Sequence, residues 1–316
     1  MYYPYFRGKQ FELIAIRESA TLLANSRFVP IVEPVRASLG GLDKTLTSLT
    51  EVDAQAIVVV NPSYGDYRGD FENISELLKQ KYQGYDKIGT GILLTSKTSL
   101  EHAIYLTTRF SKPGTTLIHA GFTDPRGLSD KLGEAAKNFR NIFSADHTNR
   151  LYRRNFQGSP RILLGDGFIQ TKNADYPPIE TFSDLHITYQ EEGMNGYGDF
   201  LTVGDNYSES GGPAYAVAIH LTFIDPDQDG AMFIYHFKSD TNDTPTDPAG
   251  KFAQALEKMI KKLDSGDSKL LETGAIKEFR DLNSRGHFPG LGYIKKLSIK
   301  HHLETLANYH YPNRDA

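Results

Sequence analysis

The chain has 316 residues, with 35 basic and 39 acidic side chains for a net charge of −4, 39% apolar residues, and neither cysteine nor tryptophan. Apolar and charged fractions near globular averages exclude a disordered chain or a fibre. The missing sulfur ligands exclude disulfide staples, thiolate nucleophiles, zinc ribbons and iron–sulfur clusters together.

The opening Met1-Tyr2-Tyr3-Pro4-Tyr5-Phe6-Arg7-Gly8-Lys9 turns to charge too early for a secretory signal, which needs an apolar stretch of ~7–15 residues. No run approaches the ~18–20 apolar residues of a membrane helix, the longest aliphatic stretch being Ala56–Val60. A cytoplasmic protein without membrane association is expected. Charge is unevenly placed: residues 174–250 hold 14 acids and one base, Lys238, whereas residues 1–173 carry +5 and residues 251–316 carry +4. The acidic stretch reads either as a solvated loop layer or as a site for a divalent metal or a basic partner protein.

Short β-branched runs predict strands at Tyr3–Phe6, Phe28–Val35, Ala56–Asn61, Ile88–Thr95, Thr115–Ala120, Asn141–Asp146 and Arg161–Gly165. They are mostly continuous apolar runs, as expected of parallel strands buried on both faces. Helical periodicity over Gln10–Asn25, Phe71–Tyr82 and Ser99–Phe110 fills the gaps, with Thr98/Ser99 ahead of Glu101 as an N-cap. Such alternation with right-handed crossovers gives an open doubly wound sheet or a closed barrel. The first turn, Arg7-Gly8-Lys9, lacks the GxGxxG of a dinucleotide-binding sheet, so the expectation is an α/β fold, a TIM-barrel-like (β/α)8. Beyond residue 166 the spacing fails. Ala214–Phe223 and Ala231–Phe237 flank an acidic turn and predict a β-hairpin, and helices are expected near Ala249–Leu263, Lys269–Asn283 and Tyr293–Asn308. The organisation expected is one domain over 1–316, decorated by an inserted loop and hairpin region at 167–248. Phe200–Val203 and Ala214–Phe223 compete for the place of the eighth strand.

In a parallel barrel the strand C-termini form one rim, on which side chains distant in sequence converge. The rim positions are Arg7 and Lys9, Glu33 and Arg36, Asn61, His119, Asp146 and His147, and Asp166, with Asp199, Asp205, His220 and His236 beyond. Glu33, set in Val29-Pro30-Ile31-Val32-Glu33-Pro34-Val35, needs a partner when buried, and Arg7, Lys9 or Arg36 would supply it. It is either a structural ion pair closing the barrel top or a ligand-orienting carboxylate. Asp146-His147 pairs an acid with an imidazole at a strand end, fit for acid–base work, metal ligation or helix capping. Neighbours on a strand point opposite ways, so one of the two faces the mouth.

Asp225-x-Asp227-x-Asp229-Gly230 begins like a calcium loop, but His236 stands where the bidentate Glu belongs and the flanks alternate like strands, so a plain acidic turn is the simpler reading. Gly211 and Gly212, in Ser208-Glu209-Ser210-Gly211-Gly212-Pro213, would present backbone amides to a phosphate or form a flexible turn. Arg150, Arg153, Arg154 and Arg161, with Tyr152 among them, would grip phosphate or form a solvated helix face. No Ser-His-Asp order, GxSxG, Walker motif or HExxH occurs.

The opening Met1-Tyr2-Tyr3-Pro4-Tyr5-Phe6-Arg7-Gly8-Lys9-Gln10-Phe11-Glu12-Leu13, followed by Val29-Pro30-Ile31-Val32-Glu33-Pro34-Val35, resembles the bacterial Beta protein-like families, named for the Beta protein of a satellite phage. The resemblance covers roughly the first 40 residues. Gly198–Asp205 with Gly211–Tyr215 looks like a narrower, uncharacterised subfamily. The resemblance implies a setting in bacterial anti-phage defence and assigns no catalytic residue; its shared elements are Arg7, Gly8, Lys9, Glu12 and Glu33.

Three functions are therefore expected to compete. The first is a defence component binding a phosphorylated or nucleic-acid-derived ligand through Arg7, Lys9 and Arg36, with Glu33 orienting them and Asn61, His119, Gly211 and Gly212 contributing. The second is a phosphodiesterase or nuclease using Mg²⁺, Mn²⁺ or Zn²⁺ on Asp199, His220 and His236, with Glu33, Asp146, His147 and Asp166 as catalytic groups. The third is a non-catalytic module whose acidic layer docks a partner protein encoded nearby.

Overall fold

A computed structural model describes residues 1–68, 71–112, 114–209 and 212–312. The chain divides into two compact units, Met1–Gly165 with Leu185–Asp199, and Asp166–Asp184 with Phe200–Ala316.

The first unit is a parallel barrel. Strands β1 (Tyr5–Phe6), β2 (Ile31–Val32), β3 (Ala56–Val59), β4 (Ile88–Thr95), β5 (Thr116–Ala120), β6 (Arg140–Ser144) and β7 (Arg161–Gly165) pair in sequence order. Between them lie α1 (Gln10–Glu18), α2 (Ala20–Asn25), α3 (Gly40–Glu51), α4 (Glu72–Lys81), α5 (Leu100–Arg109), α6 (Pro125–Leu132) and α7 (Arg150–Arg154). The next strand in the chain, β8 (Ile179–Ser183), belongs to the second unit. The chain then returns through α8 (Leu185–Thr188) to β9 (Gly196–Asp199), the eighth strand of the barrel. A bridge between Tyr2 and Tyr197 completes the ring, with Tyr3 N donating to Tyr197 O at 2.8 Å and Tyr197 N to Met1 O at 3.1 Å. The expected (β/α)8 barrel is present.

Seven strands lie where the sequence placed them; the eighth does not. Phe200–Val203 is a turn, and the second contender lies in a hairpin of the other unit. The strand taken instead, Gly-Tyr-Gly-Asp, has poor β propensity, and its geometry accounts for the composition. A Cβ on Gly196 would lie 2.6 Å from Met1 O, and one on Gly198 would lie 2.2 Å from Tyr3 O. The last strand closes against the first only where it carries no side chain.

Residues paired across parallel strands share a face, which identifies the lumen. One row runs Tyr5, Ile31, Ile57, Gly89, and another Leu93, Ile118, Ile142, Ile162, Gly196. A Cβ on Gly91 would touch Ile57 and Ile118 from the strands on either side, so this face points inward. The opposite face carries Leu94, Leu117, Phe143 and Leu163, packed with Ala103 and Leu106 of α5 and Leu128 of α6. Ser99 caps α5 by accepting from His102 N, as expected. The single helix expected over Gln10–Asn25 is broken at Ser19, whose φ of −100° and ψ of 9° leave the α-helical region.

The second unit is a three-stranded antiparallel sheet, ordered β10 (Ala218–Asp225), β11 (Ala231–Lys238), β8, with α9 (Pro248–Asp264), α10 (Gly274–Ser284) and α11 (Leu291–His310). The expected hairpin is present. Ile219, Leu221 and Phe237 form one face of the sheet, which buries against Phe252, Leu256 and Met259 of α9, Ile276 and Phe279 of α10, and Leu297 of α11. The expectation of one domain decorated over 167–248 meets a second unit that begins at Asp166 and continues past residue 248. Its three helices pack on its own sheet instead of supplying final barrel units. His301 protects the open edge of β10, its Nε2–H donating to the Thr222 carbonyl at 2.8 Å.

Candidate functional site at the barrel mouth

Arg7 lies two residues beyond Tyr5, and Glu33 two beyond Ile31, so strand alternation aims both along the lumen-facing row. They meet as an ion pair, Arg7 Nη1 on Glu33 Oε2, in which Glu33 is 0% and Arg7 7% exposed. Tyr5 OH donates to the same carboxylate oxygen at 2.8 Å, and the backbone N–H of Ser63 donates to Oε1 at 2.7 Å. Both carboxylate oxygens are therefore satisfied, which a buried charge requires. The Arg7 guanidinium lies between two rings, 5.0 Å from the Tyr5 centroid and 4.9 Å from that of Tyr64. Of the three cations that the sequence offered to Glu33, the structure selects Arg7.

Glycine makes the convergence of the rim loops feasible. Gly8 has φ +64°, and a Cβ there would lie 3.0 Å from Glu33 O. Arg36 is exposed on the loop after β2, and Lys9 is half-buried as the N-terminal neighbour of α1. A shallow depression beside them is lined by Gly8, Pro34, Arg36, Ser38, Leu39 and Leu42.

The remaining rim residues have other tasks. Asn61 Nδ2 donates to Leu93 O, and Leu93 N donates to Asn61 Oδ1, both at 2.8 Å. Its amide continues the β3–β4 ladder where the backbone leaves it, so it is a stitch in the sheet. His119 pairs in register with Leu94 and Phe143 and faces the helix layer, not the mouth. Tyr152 OH donates to its Nδ1 at 2.8 Å, and its Nε2–H donates to Asn141 Oδ1 at 2.9 Å. Asn141 Nδ2 in turn donates to Ser159 Oγ and Phe139 O, which fixes the amide orientation and hence the histidine tautomer. Burial lowers the His119 pKa to about 4. Asp146 and His147 are exposed in the loop after β6.

Asp166 belongs to the second unit, where its carboxylate accepts from Phe168 N at 3.0 Å and Asp205 N at 2.7 Å. Asp199 accepts from Tyr2 OH at 2.6 Å within the first unit; burial, then the Asp199 charge, raise the Tyr2 pKa well above its ordinary value. Gly212 is exposed, and Gly211 lies outside the described residues.

His220 and His236 face each other across the hairpin, Nδ1 to Nδ1 at 2.6 Å. His236 Nε2 is 2.9 Å from Glu180 Oε1. An ionised carboxylate only accepts, so His236 donates from Nε2 and receives from His220 Nδ1–H, a one-way chain of neutral imidazoles. Tyr176 stacks on His236 at 4.5 Å, and Phe168 meets His220 edge-on at 5.0 Å. Burial, then the Lys238 charge, lower the His236 pKa to about 4. Asp199, His220 and His236 do not form the expected metal set: among the described residues no group of three or more His, Asp or Glu is placed to hold a metal ion.

Much of the acidic stretch is committed internally. Lys269 bridges Asp225 and Asp227, with a short 3₁₀ turn between them, so an ammonium stands where the calcium-like spacing invited a metal. Asp247 caps α9, and Glu192 binds Arg150 at 2.8 Å and Arg153 at 3.0 Å. Arg161 donates to Gly193 O at 2.7 Å. Three of the four clustered arginines are thus engaged within the fold.

The mouth also holds groups that sequence reasoning passed over: Tyr5, Ser63 and Tyr64. Tyr5 was legible from its spacing to Arg7; Tyr64 carried no signal beyond an aromatic residue between Ser63 and Gly65. No protein-family model matches the chain, and no curated protein matches it in sequence. Among the described residues no helix is long and apolar enough to cross a membrane.

Proposed function

We propose that the barrel is a receptor for a phosphorylated or nucleic-acid-derived ligand at its mouth, acting in the anti-phage setting implied by the resemblance of its first 40 residues to the Beta protein-like families. The observation that supports this reading is the buried Arg7–Glu33 pair at the ends of β1 and β2. A charge pair there is costly to desolvate, and a barrel top needing only closure would be served by apolar residues of similar size. Strand C-termini are also where such folds hold ligands.

Each residue has a distinct part in this reading. Glu33, held by Tyr5 OH and Ser63 N–H, orients Arg7; Arg7 fixes the Tyr64 ring; the exposed Arg36 and the half-buried Lys9 add positive charge that draws a phosphate. Neither a metal nor Asp146, Asp166 and Asp199 is required.

The test is calorimetric titration of 5′-mononucleotides (AMP, GMP, CMP, UMP) into the wild type and Arg36→Ala, beside plaque counts in cells expressing each. Saturable binding of at least one nucleotide, weakened about tenfold or more in Arg36→Ala and matched by lost protection, is expected; tenfold corresponds to about 1.4 kcal/mol. Equal affinity in the two proteins, or no binding by a folded wild type, would overturn the reading.

A further inference from the structure

Tyr64 remains 39% exposed although the Arg7 guanidinium lies 4.9 Å from its ring centroid. Exposed aromatic rings on mobile loops are commonplace; this one is fixed on both sides. Before it, Ser63 N is tied to Glu33 Oε1 at 2.7 Å. After it, Gly65 takes φ +73° and approaches the neighbouring loop so closely that a Cβ would lie 2.0 Å from Val35 O. Asp66 N donates to Val35 O at 3.2 Å, Ala37 N donates to Asp66 Oδ2 at 2.7 Å, and Tyr67 OH donates to Ala37 O. The loop thus joined to Tyr64's own is the one that carries the exposed Arg36.

We infer that Tyr64 is a stacking platform for the planar base of a nucleotide whose phosphate is taken by Arg36. The inference rests on the phosphate reading above and adds the ligand's second half. A ring held in place loses little freedom on binding, so the stacking contact is retained as affinity. The guanidinium already uses the negative face of the ring quadrupole on one side, so a second cation is disfavoured and a neutral planar ring is preferred. Base–aromatic stacking is also tolerant of base identity, so the site would discriminate nucleotide from sugar phosphate more sharply than one base from another.

The chain has no tryptophan, so Tyr64→Trp places a single indole reporter at the platform without removing its aromatic face. AMP, adenosine and ribose 5-phosphate are titrated against its fluorescence, and by calorimetry against the wild type, Tyr64→Phe and Tyr64→Leu. The expected result is at least tenfold tighter binding of AMP than of ribose 5-phosphate by the wild type, a preference kept in Tyr64→Phe and lost in Tyr64→Leu, with saturable quenching of the indole by AMP. Equal affinities for AMP and ribose 5-phosphate in the wild type would overturn the stacking role and leave the phosphate reading intact. Adenosine binding as tightly as AMP would do the reverse, and failure of both phosphate esters to bind would remove both.

Discussion

Two clusters of buried polar groups sit in different parts of this chain and differ in how they end. At the barrel mouth the Glu33–Arg7 pair continues through the guanidinium to Tyr64, which is 39% exposed and whose loop is hydrogen-bonded to the one that carries the exposed Arg36. In the second unit the chain Glu180–His236–His220 ends between the rings of Phe168 and Tyr176, both under 10% exposed. In both clusters the buried carboxylate and the imidazoles find partners. The first leads outward to the exposed Tyr64 ring, whereas the second meets solvent through the Glu180 carboxylate, 20% exposed. Burial and an unusual titration are therefore weak guides to function by themselves.

Three experiments break or sharpen that contrast. The largest effect is expected at the mouth. Glu33→Leu strands the Arg7 charge and should lower stability by about 3–5 kcal/mol, whereas Arg7→Met with Glu33→Leu should recover much of the loss. Urea unfolding of the three proteins measures this, and a double variant no better than the single one would mean that the pair is not the unit of stability. The second effect belongs to the braces. His236 and His301 in the second unit and His119 in the barrel are held neutral, each with a pKa lowered from 6.5 to about 4, chiefly by burial. The unfolded chain binds these protons first as pH falls. The stabilisation is therefore complete above about pH 6.5 and is lost progressively down to about pH 4, at roughly 3 kcal/mol per histidine. Unfolding midpoints independent of pH between 7 and 4 would refute the assignment of neutral braces. The smallest effect is expected at the acidic turn. Lys269→Met removes a partly exposed pair and should cost less than about 1 kcal/mol in thermal unfolding; a larger loss would mark the turn as more than a surface contact.

The barrel was legible because parallel strands covered on both sides read as apolar runs, and Ala56–Val59 and Ile88–Thr95 leave little ambiguity. The same double burial hid which face is the lumen: His119 looked like a mouth residue, and only the register with Leu94 and Phe143 turns it toward the helices. Strand β9 escaped notice because steric closure against Met1 and Tyr3 demands glycine, the residue that a sequence reader takes for a turn. Glu33 stood out as a carboxylate in an aliphatic run, and its partner was among the residues named. Tyr64 could not stand out, since its place depends on contacts between two loops whose residues lie about 30 positions apart in sequence. The calcium-like turn was read as a plain acidic turn, but its cation could not be named, since Lys269 lies some 40 residues downstream.

The central claim is that accessible positive charge at this mouth holds a phosphate ester. Calorimetric titration of AMP into the wild type and Arg36→Ala at two salt concentrations addresses it most directly. The account predicts saturable binding by the wild type that weakens with salt and falls about tenfold in Arg36→Ala. Identical, salt-independent isotherms for the two proteins would contradict it.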